Sequence, residues 1–346
     1  MGTLVSFQHT GPNPMSDNQN FTPEDMMDSL YWWGVPTLFG CEHHQRLDEV
    51  DIALLGVPHS AGNGTTERDQ HLGPRATRHV SRQLRRVHLE FGFDPWKAAS
   101  IVDVGDVPFP EANDNEACIE RITDFVHRLD NAGINPVSIG GDHSITGGIV
   151  QALGGGQLAG GKPVALLHID AHTDVFEQLD HFLGAKKSAA HWGSYLVHQG
   201  DVDAKKSVQL GLRGNPRTLD WLQPSYDLGY TVVTMKEYRK RGLEAACDLI
   251  RQTIGDSPVY ITFDLDSLDP TVAPGVSNLE PAEEGLRMNE ACSLIQSLKG
   301  FNVIGGDVVC MMPTKDSPNN ITAYCASGIM FEILSLIADN KRATQS

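Results

Sequence analysis

Cysteine is scarce and scattered in this chain: Cys41, Cys118, Cys247, Cys292, Cys310 and Cys325 are the six, and no two form a Cys-x-x-Cys pair. That pattern excludes a disulfide framework and a zinc ribbon, and it suits a reducing cytoplasm, where we expect the protein. No apolar run approaches the roughly 20 residues of a membrane span, so no membrane is expected as a partner. Basic residues are outnumbered, 27 against 44 acidic ones, for a net charge of −17. That balance argues against nucleic acid as a partner and mildly favours a cation. There is no Pro/Ser-rich linker or shift in composition to divide the chain; the glycines at 154–156, 160 and 161 read as a helix-to-strand loop. The first 22 residues lack the basic start and apolar stretch of a secretory signal. We read residues 1–22 as a loose tail and 23–346 as a single domain.

What is present is an alternation. Apolar runs at Ile52–Gly56, Ser100–Val104, Pro136–Ile139, Val164–Ile169, Val208–Leu212, Thr231–Thr234, Val259–Phe263 and Asn302–Val309 predict strands. Helical spacing covers Glu116–Asp130, Ser144–Leu153, Leu243–Ile254, Asn289–Leu298 and Ile321–Ala338. Strands alternating with helices predict an α/β fold with a mostly parallel sheet covered on both faces.

Three segments carry donors just beyond predicted strands: Gly140-Gly141-Asp142-His143, then His168 to Asp174 (HIDAHTD), then Phe263 to Pro270 (FDLDSLDP). In an open parallel sheet, ligands collect beyond the carboxyl ends of the strands. His143, Asp170, His172, Asp174, Asp264 and Asp266 are the candidate metal ligands. If their strands continued, spacings of two would put Asp170, His172 and Asp174 on one face, and likewise Asp264 and Asp266. Carboxylates at this density raise one another's pKa unless a cation neutralises them, so two divalent ions are the economical reading. The mixed His and carboxylate shell suits Mn²⁺, Co²⁺, Ni²⁺ or Zn²⁺. Singly, each segment is more often a turn or a helix cap than a metal site; jointly they are far more specific.

These segments resemble the ureohydrolase family, the arginases and agmatinases. The likeness extends to Tyr31–Gly40 (YWWGVPTLFG), Asp51–Pro58 (DIALLGVP), Gly73-Pro74-Arg75 and Gln209–Gly214 (QLGLRG). It implies a three-layer α/β/α sandwich, trimers or hexamers, and hydrolysis of a guanidino group by a metal-bridging hydroxide. Carried over by position, it implies that His143, Asp170, Asp174 and Asp264 hold one ion and that Asp170, His172, Asp264 and Asp266 hold the other, with Asp170 and Asp264 bridging. Asp266 would carry a proton to the departing nitrogen, and His191 would shuttle protons to solvent; a polar surface loop is the ordinary alternative for His191.

The chain departs from the family in three places. Where relatives end a strand in Asp-Val-Val-Glu, this chain reads Asp307-Val308-Val309-Cys310, and a thiol cannot make the forked ion pair with a guanidinium. Gly275–Pro281, including Asn278 and Glu280, replaces a Gly-Thr-Gly-Thr-Pro run. Near Glu67 and His71, relatives have Gly-x-Arg. Glu67, Glu280 or Glu283 could supply a replacement anion, against the ordinary reading of solvated loop charges. Trp32, Trp33, Phe176, Trp192 and Met311 would give an aromatic, soft wall suited to an N-alkylated cation, with interface or core packing as the alternative. The resemblance thus implies a small cationic guanidine-type substrate, favouring a substituted guanidine or a biguanide such as metformin (to guanylurea and dimethylamine), with Ni²⁺ or Mn²⁺ as the metal. Agmatinase or guanidinobutyrase activity releasing urea is the alternative, as is a non-catalytic subunit working with a paralogous partner.

Overall fold

In the computed structural model, residues 34–63, 68–177, 179 and 185–345 are described. Among the described residues eight strands form one sheet: β1 (Ile52–Val57), β2 (Ile101–Asp106), β3 (Asn135–Gly140), β4 (Ala165–Ile169), β5 (Val208–Leu212), β6 (Thr231–Thr234), β7 (Val259–Asp264) and β8 (Val303–Val309). Every pairing is parallel, in the order β2-β1-β3-β8-β7-β4-β5-β6. All eight fall on the expected runs, with ends shifted by a residue or two. Strands of a parallel sheet covered on both faces read as continuous apolar runs, and that is the signal they carry.

Alternate residues of a strand enter opposite layers. In β1, Ile52 and Leu54 join one core while Ala53, Leu55 and Val57 join the other. The first core takes Val80 from the helix Gly73–Ser81, Ile250 from Leu243–Ile254, Leu294 from Met288–Gln296 and Ile333 from Ile321–Gln345. The second takes Ile122 from Asn115–Asn131, Ile149 from Ser144–Leu153 and Leu196 from Trp192–Gln199. The result is the expected three-layer α/β/α sandwich.

Two helices flanking the site were not expected from the sequence. Gly73–Ser81 carries Arg75, Arg78 and His79 and buries little more than Pro74, Thr77 and Val80, so its apolar stripe is thin. Trp192–Gln199 has eight residues and stops where Gly200 takes a left-handed φ of 86°, too short for its period to show. The C-terminal helix needs a correction of another kind. Ile321–Thr344 is long and apolar enough to cross a membrane, although no such run was expected; in this fold 72% of its apolar window is buried, as in a core helix.

The strand order has a consequence for the donors. β3, β8, β7 and β4 are consecutive neighbours, so their carboxyl ends, at Gly140, Val309, Asp264 and Ile169, lie side by side although sequence separates them widely.

Candidate metal centre

The segment after β3 turns sharply. A Cβ on Gly141 would lie 1.8 Å from the His59 carbonyl oxygen, so only glycine lets the chain pass there. Asp142 then accepts the Ser144 amide at 3.0 Å and its hydroxyl at 2.5 Å, starting the helix whose N-cap position is His143. β4 ends at Ile169, so Asp170, His172 and Asp174 do not share a continuing strand. Asp170 Oδ1 instead accepts the His172 amide at 2.7 Å, and Asp174 takes a left-handed φ of 49°. The same device follows β7: Asp264 Oδ1 accepts the Asp266 amide at 2.9 Å and caps a 3₁₀ turn, Leu265–Ser267. A carboxylate two residues ahead of an amide closes such turns readily. Turns, not strand periodicity, aim these side chains.

They converge on two points. His143 Nδ1 lies 2.9 Å from Asp170 Oδ2, 3.0 Å from Asp174 Oδ2 and 3.2 Å from Asp264 Oδ2. His172 Nδ1 lies 3.4 Å from Asp170 Oδ1 and 3.1 Å from Asp266 Oδ2. Asp170 thus offers one oxygen to each point. Three carboxylate oxygens surround one imidazole nitrogen that carries at most one proton, and His143 Nδ1, wholly buried, makes no well-formed hydrogen bond to any of them. A divalent cation at each point would satisfy this donor set. Among the described residues, two groups have ligand atoms close enough to share an ion: His143, His168, Asp170 and Asp174, and Asp170, His172 and Asp266. Asp264 contributes Oδ2 to the first point, while its Oδ1 is held by the Asp266 amide.

The electrostatics agree. Burial opposes a charge on His143, but Asp170, Asp174 and Asp264 outweigh it and hold its pKa well above the usual imidazole range. Burial likewise opposes a charge on His172, where Asp266 and Asp170 prevail. Asp266 is pushed well above the carboxylate range by burial and then by the Asp264 charge, and Asp174 is raised by burial and then by Asp170. Asp170 goes well below that range: burial works against its charge, yet its contacts with His143, His168 and His172 overcome it.

His168 was missed as a site residue. Its Nδ1 accepts from Gln209 at 3.2 Å, which leaves Nε2 to donate to Asp170 Oδ2 at 2.9 Å. It stands two residues before Asp170 at the end of β4, and the period of two could have placed it on the same face. Behind the ligands runs a buried polar chain. His143 Nε2 meets Thr262 Oγ1 at 2.9 Å, Thr262 meets Thr146 at 3.3 Å, and Thr146 and Tyr260 each donate to Asp307 at 2.8 Å. Arg213 was also missed. Its buried guanidinium donates to the carbonyls of Asp266 at 2.6 Å, Leu268 at 3.0 Å and Ser267 at 3.1 Å, and Nε reaches Glu280 O at 3.3 Å.

Other expected residues fall as follows. Trp192 is no substrate wall: it is wholly buried, its ring centroid 4.9 Å from His143 and 4.8 Å from His168, and Nε1 donates to Asp174 Oδ2 at 3.1 Å. A flat apolar ring is what can seal the dry side of two imidazoles. Met311 is likewise buried, and Phe176 is half-buried. His191 is buried rather than on a surface loop, its Nδ1 2.5 Å from Ser188 Oγ. Cys310 is buried with a left-handed φ of 67°, its amide donating to Gly141 O at 2.8 Å. Burial and then the Asp264 and Asp266 charges hold its thiol well above its usual range, so it is neutral there. Asn278, Glu283 and His71 are exposed, whereas Glu280 reaches back to His172. Trp32, Trp33 and Glu67 lie outside the described residues.

Residues 50–335 match the arginase family. The human mitochondrial guanidino acid hydrolase is 36% identical over 286 residues, 82% of this chain and 78% of that protein. The mitochondrial agmatinase of Gallus gallus is 35% identical, over 88% of this chain and 86% of its own length. Among solved structures, a hypothetical agmatinase from Burkholderia thailandensis superposes with a TM-score of 0.80 at 30% identity, covering 91% of this chain and 93% of that one. With the family matched along most of its length and the strand-end donors drawn together in one buried cluster, this chain belongs to the arginase family.

Proposed function

We propose that this protein hydrolyses a C–N bond of a small guanidino compound at two divalent cations. One would be held by His143, Asp170, Asp174 and Asp264, the other by His172, Asp266 and Asp170, with Asp264 joining Asp170 as a bridge. The observation that carries this is the split of Asp170, whose two oxygens face two different imidazoles. When bound, such a pair of cations lowers the pKa of a shared water enough for attack near neutral pH.

The rest falls to side chains. Delocalisation makes the guanidinium carbon a poor electrophile, so the reactants need fixed positions, which the four adjacent strand ends can supply. A C–O bond forms, a C–N bond breaks, and the departing nitrogen takes a proton. Asp266, buried beside the other carboxylates, can receive a proton from the attacking water and hand it on. His191, held by Ser188, is the candidate proton shuttle. Trp192 keeps water from the rear of the ligand cluster.

The relatives act on guanidino acids and agmatine, as their names state, which supports an alkylguanidine substrate with urea as product. A biguanide such as metformin is the second reading, favoured by Cys310: a neutral thiol stands where a forked anion would select an unsubstituted guanidinium. Steady-state assays with agmatine, 4-guanidinobutyrate, guanidine and metformin, each with Mn²⁺ and with Ni²⁺, test both. Turnover of agmatine or 4-guanidinobutyrate with none of metformin supports the first, and the converse supports the second. No turnover of any of them by a chain that binds no metal overturns the hydrolase reading. Light scattering on the same sample tests the trimer or hexamer, and activity gained on adding a paralogous subunit would identify a heteromer.

A further inference from the structure

Of the three imidazoles facing Asp170, the two candidate ligands His143 and His172 are backed differently. His143 turns its outer nitrogen to the neutral hydroxyl of Thr262 at 2.9 Å. His172 turns its outer nitrogen to a carboxylate, Glu280 Oε1, at 3.1 Å. We propose that Glu280 is a positioning residue for the second cation: it holds His172 as the tautomer protonated on Nε2, leaving the Nδ1 lone pair aimed at the point shared with Asp170 and Asp266. This rests on the two-cation reading above and goes beyond it by making the two positions unequal.

Three observations distinguish Glu280 from a casual surface ion pair. Its backbone is anchored, because the Arg213 that gathers the Asp266, Ser267 and Leu268 carbonyls also bonds the Glu280 carbonyl. One guanidinium therefore fixes Asp266 and Glu280 relative to each other. Its carboxylate is seated: a Cβ on Gly214 would fall 2.2 Å from Glu280 Oε2, and Gly214 has a φ of 97°, so glycine both permits the turn and leaves the room. Its partner is the most exposed of the candidate ligands, with 31% of the His172 side chain accessible against 1% for His143. An imidazole at an open position is free to rotate or change tautomer unless something holds its other nitrogen, and an outer carboxylate does so while making the ligand nitrogen more basic.

Glu280 is therefore assigned to the cation rather than to the substrate. Calorimetric titration of chelator-stripped protein with Mn²⁺, in the absence of substrate, tests this directly. Wild type should take up two ions per chain. Glu280→Ala should weaken one of the two by about 10- to 100-fold, the usual cost of losing such a partner, and leave the other unchanged. Glu280→Gln, which can still accept the Nε2 proton, should recover part of that loss. In His172→Ala, adding Glu280→Ala should cost no further metal affinity, since the ligand it positions is gone. Two ions bound with unchanged affinities by Glu280→Ala, together with a raised KM, would overturn the assignment and make Glu280 a substrate anchor. Wild type that takes up fewer than two ions would instead strike at the two-cation reading itself, so the two failures are distinguishable.

Discussion

Val276 and Met311 face each other in an isolated antiparallel bridge, and the Met312 amide donates to Gly275 O at 2.6 Å beside it. This contact joins two segments at which the chain departs from its relatives, Gly275–Pro281 and the residues after β8. The third departure adjoins them, since Thr314 donates to Asp69 at 2.7 Å. Three separate differences in sequence thus meet on one side of the fold.

If that side selects the substrate, Cys310→Glu should change preference rather than abolish activity. A forked, charge-assisted pair to a guanidinium is worth about 1.5–3 kcal/mol, so kcat/KM for agmatine should rise about tenfold or more relative to metformin. An unchanged ratio between the two substrates would remove Cys310 from the selecting wall.

Asp266→Asn should lower kcat by several powers of ten, on the order of 10³ or more, because it weakens one cation position and removes the proton carrier together. His191→Ala should cost less, and added imidazole should restore part of its rate, since a shuttle can be replaced from solution. Near-normal turnover by Asp266→Asn would contradict its role.

Stripping the cations should destabilise the fold, because the buried cluster of carboxylates loses its counter-charge. A ligand at about 100 times its Kd stabilises by about 2.7 kcal/mol per site, which for a chain this long is several degrees in Tm. A thermal scan with and without chelator measures it, and no shift would mean that the cluster holds no cation.

Arg78 grips Asp103 with two bonds, 2.8 Å and 2.9 Å. Burial works against the charge of Asp103, but Arg78 and the Leu38 and Gly105 amides prevail and hold its pKa below the ordinary 3.8. A depressed carboxylate contributes stability that is fully present above its unfolded pKa and is lost as pH falls through the lower folded value. Arg78→Met should cost about 3–5 kcal/mol by leaving a buried charge unpaired. Because the variant lacks that pH-dependent contribution, its deficit relative to wild type should also shrink as pH falls below the ordinary carboxylate range. Denaturant melts at pH 3 to 7 would show both, and parallel curves would refute the second.

The eight strands and the residue types of the candidate centre were legible in the amino-acid order alone. Both signals are local: a strand buried on two faces must be apolar throughout, and His and Asp after such strands have few cheaper uses in combination. It could not show that β8 lies between β3 and β7, because pairing order depends on contacts between distant segments. For the same reason, the bridge between Val276 and Met311 came only from the fold. Tertiary structure also decided orientation. Periodicity pointed Asp170, His172 and Asp174 along one strand face, whereas turns closed by their own carboxylates bend them around two points. It buried Trp192 behind the ligands instead of before them, because the side chain followed the short helix that it begins. It set Glu280 against His172, a pairing between segments 108 residues apart, which residue spacing does not encode.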